Sequence, residues 1–154
     1  MMLDQNGSHF QQRVFDEIKY LKGDNTFILI EGTTLELCNG DLHIAAMLST
    51  LMYWCDRGSD KDGWIWKSYR EWSVETGLNR NQVDKATKWL KEREYLETIK
   101  RMARGHPTLH YRLNQINVLG AISRICMTKQ IDLTKPANGR CQYEQMHLPK
   151  RANL

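Results

Sequence analysis

Arg80, Asn81, Gln82, Lys85 and Lys88 stand close together within Ser68–Arg93, and their side chains suit one kind of chemistry. Arginine presents a rigid fork that matches the two acceptors of guanine, and asparagine or glutamine pairs in the same way with adenine. Lysine is a point charge suited to phosphate. A second basic set flanks the first, with Lys67 before it and Arg101, Arg104 and His106 after it. The signatures of catalysis are missing: there is no P-loop, no G-x-S-x-G, no H-E-x-x-H and no acid pair at ligand spacing. His9, His43, His106, His110 and His147 are scattered and form no constellation. Cys38, Cys55, Cys126 and Cys141 contain no CxxC pair and read as free thiols, and a zinc site from Cys126, Cys141 and His147 matches no common ligand spacing. The sequence therefore predicts binding rather than an enzyme, with no cofactor and no metal.

Those side chains need elements to hold them. Ser68 and Glu71 have the spacing of a capping box, which predicts a helix from Tyr69. Gly77 breaks that helix after two turns, and Asn79 is a good cap for the next. Trp72, Ser73, Thr76, Leu78, Val83, Ala86 and Leu90 would meet between the two helices. That leaves Arg80, Asn81, Gln82, Asp84, Lys85 and Lys88 on the outer face of the second. Leu96–Arg101 and Thr108–Leu113 read as strands, with the loop MARGHP between them.

Helix, turn, helix and basic hairpin, in that order, resemble the winged-helix DNA-binding domains, in particular the amino-terminal domains of phage and plasmid replication initiators and replisome organisers. The residues that carry the resemblance are DGWIWKS (62–68), ETGLNRNQV (75–83), LKEREYLE (90–97) and GHPTLHYRL (105–113). They cover roughly a third of the chain. The resemblance implies a mainly α fold with a small β-sheet (α+β) and a role in replication initiation or its control on a mobile element. The initiators carry a large second domain for oligomerisation or helicase loading; this chain lacks one, which strengthens transcriptional regulation as the competing role.

At 154 residues and 18.1 kDa the chain suits one domain with modest appendages. No apolar run approaches the roughly 20 residues that span a membrane, and the first 20 residues lack a signal-peptide core. Charge is unevenly placed. Residues 1–63 carry 5 Lys or Arg against 10 Asp or Glu, residues 64–113 carry 11 against 6, and residues 114–154 carry 6 against 2. The positive footprint thus lies on the second half, where a nucleic-acid partner would sit.

Three regions follow: 1–38, with a first helix and short strands; 39–125, the winged helix; and 126–154, a flexible basic tail. Ser8 would cap a helix to about Lys22 with Phe10, Val14, Ile18 and Leu21 on one stripe, either core or a homodimer contact. Phe27–Ile30 and Thr34–Leu37 read as short strands around Glu31-Gly32, or equally as a single strand leading into a loop. Asp41 starts an apolar helix to about Cys55, the buried centre of the domain, with His43 at its surface. Trp64 and Trp66 form a strand and either pack in the sheet or stack on unpaired bases. Trp89 lies one step off the core stripe and could cover the core edge, meet a partner or approach the DNA backbone. Gln115–Ile125 would be a closing helix, and Lys129, Lys135, Arg140, Lys150 and Arg151 of the tail are available to phosphates.

The sequence thus predicts a cytoplasmic protein, associated with the nucleoid, that binds double-stranded DNA with sequence preference. Arg80, Asn81, Gln82 and Lys85 would read the major groove, while Lys67, Lys88, Arg101, Arg104 and His106 would hold phosphates or reach the neighbouring groove. The competing reading is a winged helix reused to bind a protein, such as an inhibitor of a host complex, with the acidic first third as its working face.

Overall fold

The computed structural model describes residues 9–23 and 28–133. In chain order its elements are α1 (Phe10–Lys22), α2 (Gly32–Leu37), α3 (Leu42–Trp54), β1 (Ile65–Trp66), α4 (Tyr69–Thr76), α5 (Arg80–Glu92), β2 (Leu96–Ala103), β3 (His106–Leu113) and α6 (Gln115–Leu133). The three strands form one antiparallel sheet in the order β1-β3-β2. This is the mainly helical α+β winged-helix arrangement that the sequence predicts.

Helix α3 is the centre. Asp41 accepts hydrogen bonds from the N–H groups of His43 and Ile44, which satisfies two donors that the first turn leaves open. Every residue from Ile44 to Leu51 is buried, because α2, α4, α5 and β3 pack around the helix. Trp72, Leu78, Val83, Ala86 and Leu90 enter the same core from α4 and α5, as their spacing predicts. Ser73 is exposed and Thr76 is only half-buried, so those two do not belong to it. Trp89 packs at the core edge beside Tyr95.

Neither the two short strands nor the single strand expected before α3 forms among the described residues. Ile28–Ile30 have no regular structure, Phe27 lies outside the described residues, and Gly32–Leu37 form α2. Four residues such as Thr34–Leu37 fit a strand or a helix equally well on their pattern alone. Tertiary packing decides: the Glu31 carboxylate caps the helix through the Thr33 N–H at 2.7 Å, and Thr34 and Leu37, three apart, are buried together. The core therefore begins before residue 39, and Leu37 and Cys38 are part of it. Burial, then the nearby Asp41 charge, pushes the Cys38 thiol up to about 11, which leaves it un-ionised at neutral pH.

A second correction concerns the carboxyl end. Helix α6 runs through Gly120 and past Cys126 to Leu133, where a flexible tail was expected. Val118, Ala121, Ile122 and Ile125 pack it onto the core, and Lys129 forms an ion pair with Glu36 of α2 at 2.5 Å. Residues 134–154, including Lys135, Arg140, Lys150 and Arg151, lie outside the described residues, as does Ser8. None of α1 is buried: Phe10 and Leu21 are 70% and 71% exposed, so its stripe is not part of the domain core.

The hairpin is longer than its sequence suggests. The loop MARGHP shrinks to a two-residue turn, Arg104-Gly105, with φ of 49° and 78°. Two successive left-handed residues match the twist of the flanking strands, so pairing extends to Ala103 and His106. Pro107 is tolerated because β1 pairs only with His110 and Tyr111, leaving the rest of that edge of β3 open.

Trp72 is fully buried, meets Tyr111 of β3 edge-to-face at 5.5 Å, and has an indole N–H with no hydrogen-bond partner. Trp72→Ala should therefore lower stability by about 3–5 kcal/mol in denaturant melts. Trp72→Phe, which keeps a ring and forfeits no hydrogen bond, should lose much less.

Candidate nucleic-acid interface

The start of α5 is held by a reciprocal cap. The Asn79 carboxamide accepts from the Gln82 N–H at 3.0 Å, and the Gln82 carboxamide accepts from the Asn79 N–H at 2.9 Å. The Gln82 amide nitrogen lies 3.2 Å from Nε2 of His43 on α3. Gln82, predicted to read bases, has its amide engaged at both ends, by the Asn79 N–H and by His43, and so helps fix the entry of α5 against α3.

Arg80, Asn81, Lys85 and Lys88 are exposed on the outer face of α5, opposite Val83, Ala86, Thr87 and Leu90. Asp84 stands among them and Lys91 continues the row. Lys88 lies 3.9 Å from Glu92, an exposed pair of little energetic weight. Arg80 is more organised. Its guanidinium stacks over the Tyr69 ring at 4.7 Å and lies 3.9 Å from Asp84, which accepts a hydrogen bond from the Tyr69 hydroxyl. That bond, with burial second, raises the Tyr69 pKa. The Arg80 side chain is still 73% exposed, so its fork remains presented to a ligand.

Tyr69 also connects α5 to the hairpin. It lines a groove of about 520 Å³ between the first turn of α4 and the hairpin tip, with Arg70, Arg104 and His106 on its walls. Ser68 and Glu71 cap α4 reciprocally at one edge of that groove. Burial acts to raise the Glu71 carboxyl, but hydrogen bonds from the Ser68 N–H and hydroxyl outweigh it and hold the group below its ordinary value. A carboxyl depressed on folding stabilises above its unfolded pKa and loses that contribution as pH falls through its folded one. Tyr69 and Arg70 had no role assigned from the sequence. A residue at the start of one helix that lands beside a distant hairpin carries no local signal of it.

The four flanking cations separate. Arg104 and His106 stand at the hairpin tip beside Arg70. Arg101 lies on the outer face of the sheet, 5.4 Å from the Trp64 ring centre. Lys67, predicted to hold phosphate, is internal: its side chain is 12% exposed and forms an ion pair with Glu75, itself 16% exposed. The ammonium sits between Trp54 and Trp72, 5.1 and 5.6 Å from their ring centres, and the Trp54 indole N–H donates to the other Glu75 oxygen. A lysine just before a helix cap looks like a surface cation in sequence; only the fold reveals the carboxylate eight residues on as its partner.

Among the described residues no cluster of His, Cys, Asp and Glu could hold a metal ion, and no helix is long and apolar enough to cross a membrane. Cys141 and His147 lie outside the described residues. No family model matches the chain, and no curated protein does. Among solved structures, one described as a possible transcriptional regulator from Methanosarcina mazei Go1 is similar over 75% of this chain and 87% of its own, with 14% identity and a TM-score of 0.47. At that level the likeness lends the chain no function.

Lys67→Met should lower the melting temperature, since it leaves the largely buried Glu75 carboxylate without its cation, a loss of about 3 kcal/mol. Measured below the melt, duplex DNA binding should be unchanged. A loss of binding without a loss of stability would return Lys67 to the interface.

Proposed function

We propose that the protein binds double-stranded DNA with sequence preference and controls replication or transcription, with no catalytic step. One observation carries the proposal: Tyr69 stacks with Arg80 at the exposed start of α5 and also lines the groove at the hairpin tip, whose walls carry Arg70, Arg104 and His106. In this proposal the first turn of α5 enters the major groove. Arg80 and Asn81 meet base edges, while Lys85 and Lys88 stand further along the same face. Arg70, Arg104 and His106 then meet the phosphate backbone beside that groove. The outer face of α5 carries Arg80, Lys85, Lys88 and Lys91 against Asp84 and Glu92, a surplus of cations that favours a polyanion. Asp84 is apt for a cytosine amino group or for orienting Arg80.

The resemblance of residues 62–68, 75–83, 90–97 and 105–113 to replication initiators and replisome organisers supports a reading in which the protein acts in the cytoplasm for a phage, plasmid or similar element. The same order of elements serves transcriptional regulators.

Two substitutions on one helix separate base reading from phosphate binding. Arg80→Ala should weaken binding to a site selected from random duplex by roughly ten- to a hundredfold and relax preference at one base pair. Lys88→Ala should weaken selected and scrambled duplexes alike and make the salt dependence shallower by about 0.9 in log–log slope. Neither side chain is buried, so melting temperatures should hardly move. Titrations on both duplexes check this; a wild type without preference, and indifferent to both changes, would transfer the function to a protein partner.

A further inference from the structure

The sheet has a second side. Strand residues alternate between faces, and Tyr111, with Leu113 and Leu96, points to the core. The partners one step along, His110 and Arg112, therefore belong to the outer face, with Trp66 beside His110. This face is built of indoles and guanidiniums. Arg112 and Arg101 lie 4.6 and 5.4 Å from the Trp64 ring centre, and Arg104 lies 4.7 Å from that of Trp66.

Beside it opens a cavity of about 510 Å³, lined among others by Trp54, Trp64, Trp66, His110, Ser59 and Asp60. That volume is in the range of small-ligand sites. His110 is 92% buried by its 8% exposure, and its Nδ1 lies 3.1 Å from the Thr108 carbonyl. A carbonyl only accepts, so Nδ1 carries the proton. Nε2 is left as an acceptor with no partner among the described residues, on a ring that lines the cavity. Asp60 keeps one carboxylate oxygen on the Asp62 N–H at 2.7 Å. The cation in the wall, Lys67, is neutralised by Glu75. The lining is thus aromatic, with acceptors and the exposed Asp60 carboxylate, while Arg101, Arg104 and Arg112 stack on Trp64 and Trp66, two of the rings that form it.

We infer that this cavity takes one unpaired nucleobase of a single-stranded nucleic acid. The Asp60 carboxylate at its edge repels phosphate, and the half-buried Trp54 and Trp66 give aromatic surface against which any base can stack once the cation over each ring shifts. His110 Nε2 and the free Asp60 oxygen would accept from a base's amino or imino N–H groups. Arg101, Arg104 and Arg112 would meet the flanking phosphates. A base inside an intact duplex cannot reach such a cavity, so the ligand must be unpaired. The site is separate from the start of α5, while Trp66 and Arg104 also border the groove at the hairpin tip.

The test is fluorescence anisotropy on the full chain with labelled oligothymidylate of about 12 nucleotides, its ribo-uridylate counterpart, and an abasic strand of equal length. Wild type should bind both base-bearing strands at least about tenfold more tightly than the abasic one. Trp66→Leu should remove that advantage and Trp66→Phe should restore most of it. Arg80→Ala should leave single-strand binding intact, so the two sites fail independently. Equal binding of abasic and base-bearing strands by wild type would overturn the inference. So would a Trp66→Leu protein that keeps its preference for base-bearing over abasic strands. Should Trp66→Leu fail to fold, the wild-type comparison with the abasic strand decides by itself. A preference confined to the thymidylate or to the uridylate strand would show which nucleic acid the site serves.

Discussion

The packing of Trp72 against Tyr111 is the contact on which the geometry of the molecule depends. Trp72 belongs to α4 and Tyr111 to the central strand, and both are fully buried at the joint between the helix pair and the sheet. Large aromatic groups in edge-to-face contact combine extensive burial with a preferred orientation. The joint therefore sets the angle of the hairpin as well as its attachment. It works alongside Tyr69, which meets Arg80 and lines the hairpin-tip groove, and the direct packing of α5 on β2, to fix the start of α5 relative to the hairpin. The Lys67–Glu75 pair seals its rim, with the ammonium against both Trp72 and Trp54. A largely buried ion pair adds little net stability, but it is costly to leave half-made. Its effect here is to make one arrangement of the pre-α4 segment, the end of α4 and the end of α3 much better than its neighbours.

Local caps do the finer positioning. Both helices of the pair begin with a reciprocal capping box, and in each the side chain at the third helical position is bound to the backbone. For α5 this holds Gln82 in place and presents Arg80 and Asn81, the two residues before it, at the end of a defined first turn. Stacking of Arg80 on Tyr69 organises the most exposed cation of that turn without burying it. Such an arrangement lowers the ordering cost of binding, since a long side chain already near its bound position has less freedom to lose.

What was legible in the sequence had local causes. Ser68 with Glu71, Gly77, Asn79 and Asp41 mark helix ends through hydrogen bonds to neighbouring backbone, and the structure has these ends where the residues predict them. The apolar spacing of Val83, Ala86 and Leu90 likewise places the inner face of α5. What was not legible had distant causes. Thr34–Leu37 become helical because α3 and α6 supply a surface for Thr34 and Leu37. Residues 126–133 continue α6, with Lys129 finding Glu36 on another helix. Lys67 reads as a surface cation until the fold turns it toward Glu75. Within the candidate interface, the outer face of α5 was therefore readable from helical periodicity. The division of the flanking cations between hairpin tip, outer sheet and interior was not, because it depends on register and tertiary packing.

The two-residue period of a strand explains how one small sheet can carry two different surfaces. Along β3, Tyr111 and Leu113 are committed to the core, and the intervening His110 and Arg112 must face outward whatever their chemistry. A sheet that served only as a scaffold could cover its outer face with short polar groups. Here that face carries Trp64 and Trp66 with arginines stacked over them, and the buried His110 imidazole that lines a cavity. Arginine over indole shields apolar surface from water while keeping the guanidinium edges open to an anion. The same contacts that stabilise the hairpin thus leave it chemically equipped on the side away from the core. The hairpin tip, with Arg104 between the groove that Tyr69 lines and the Trp66 ring, is where the two surfaces meet.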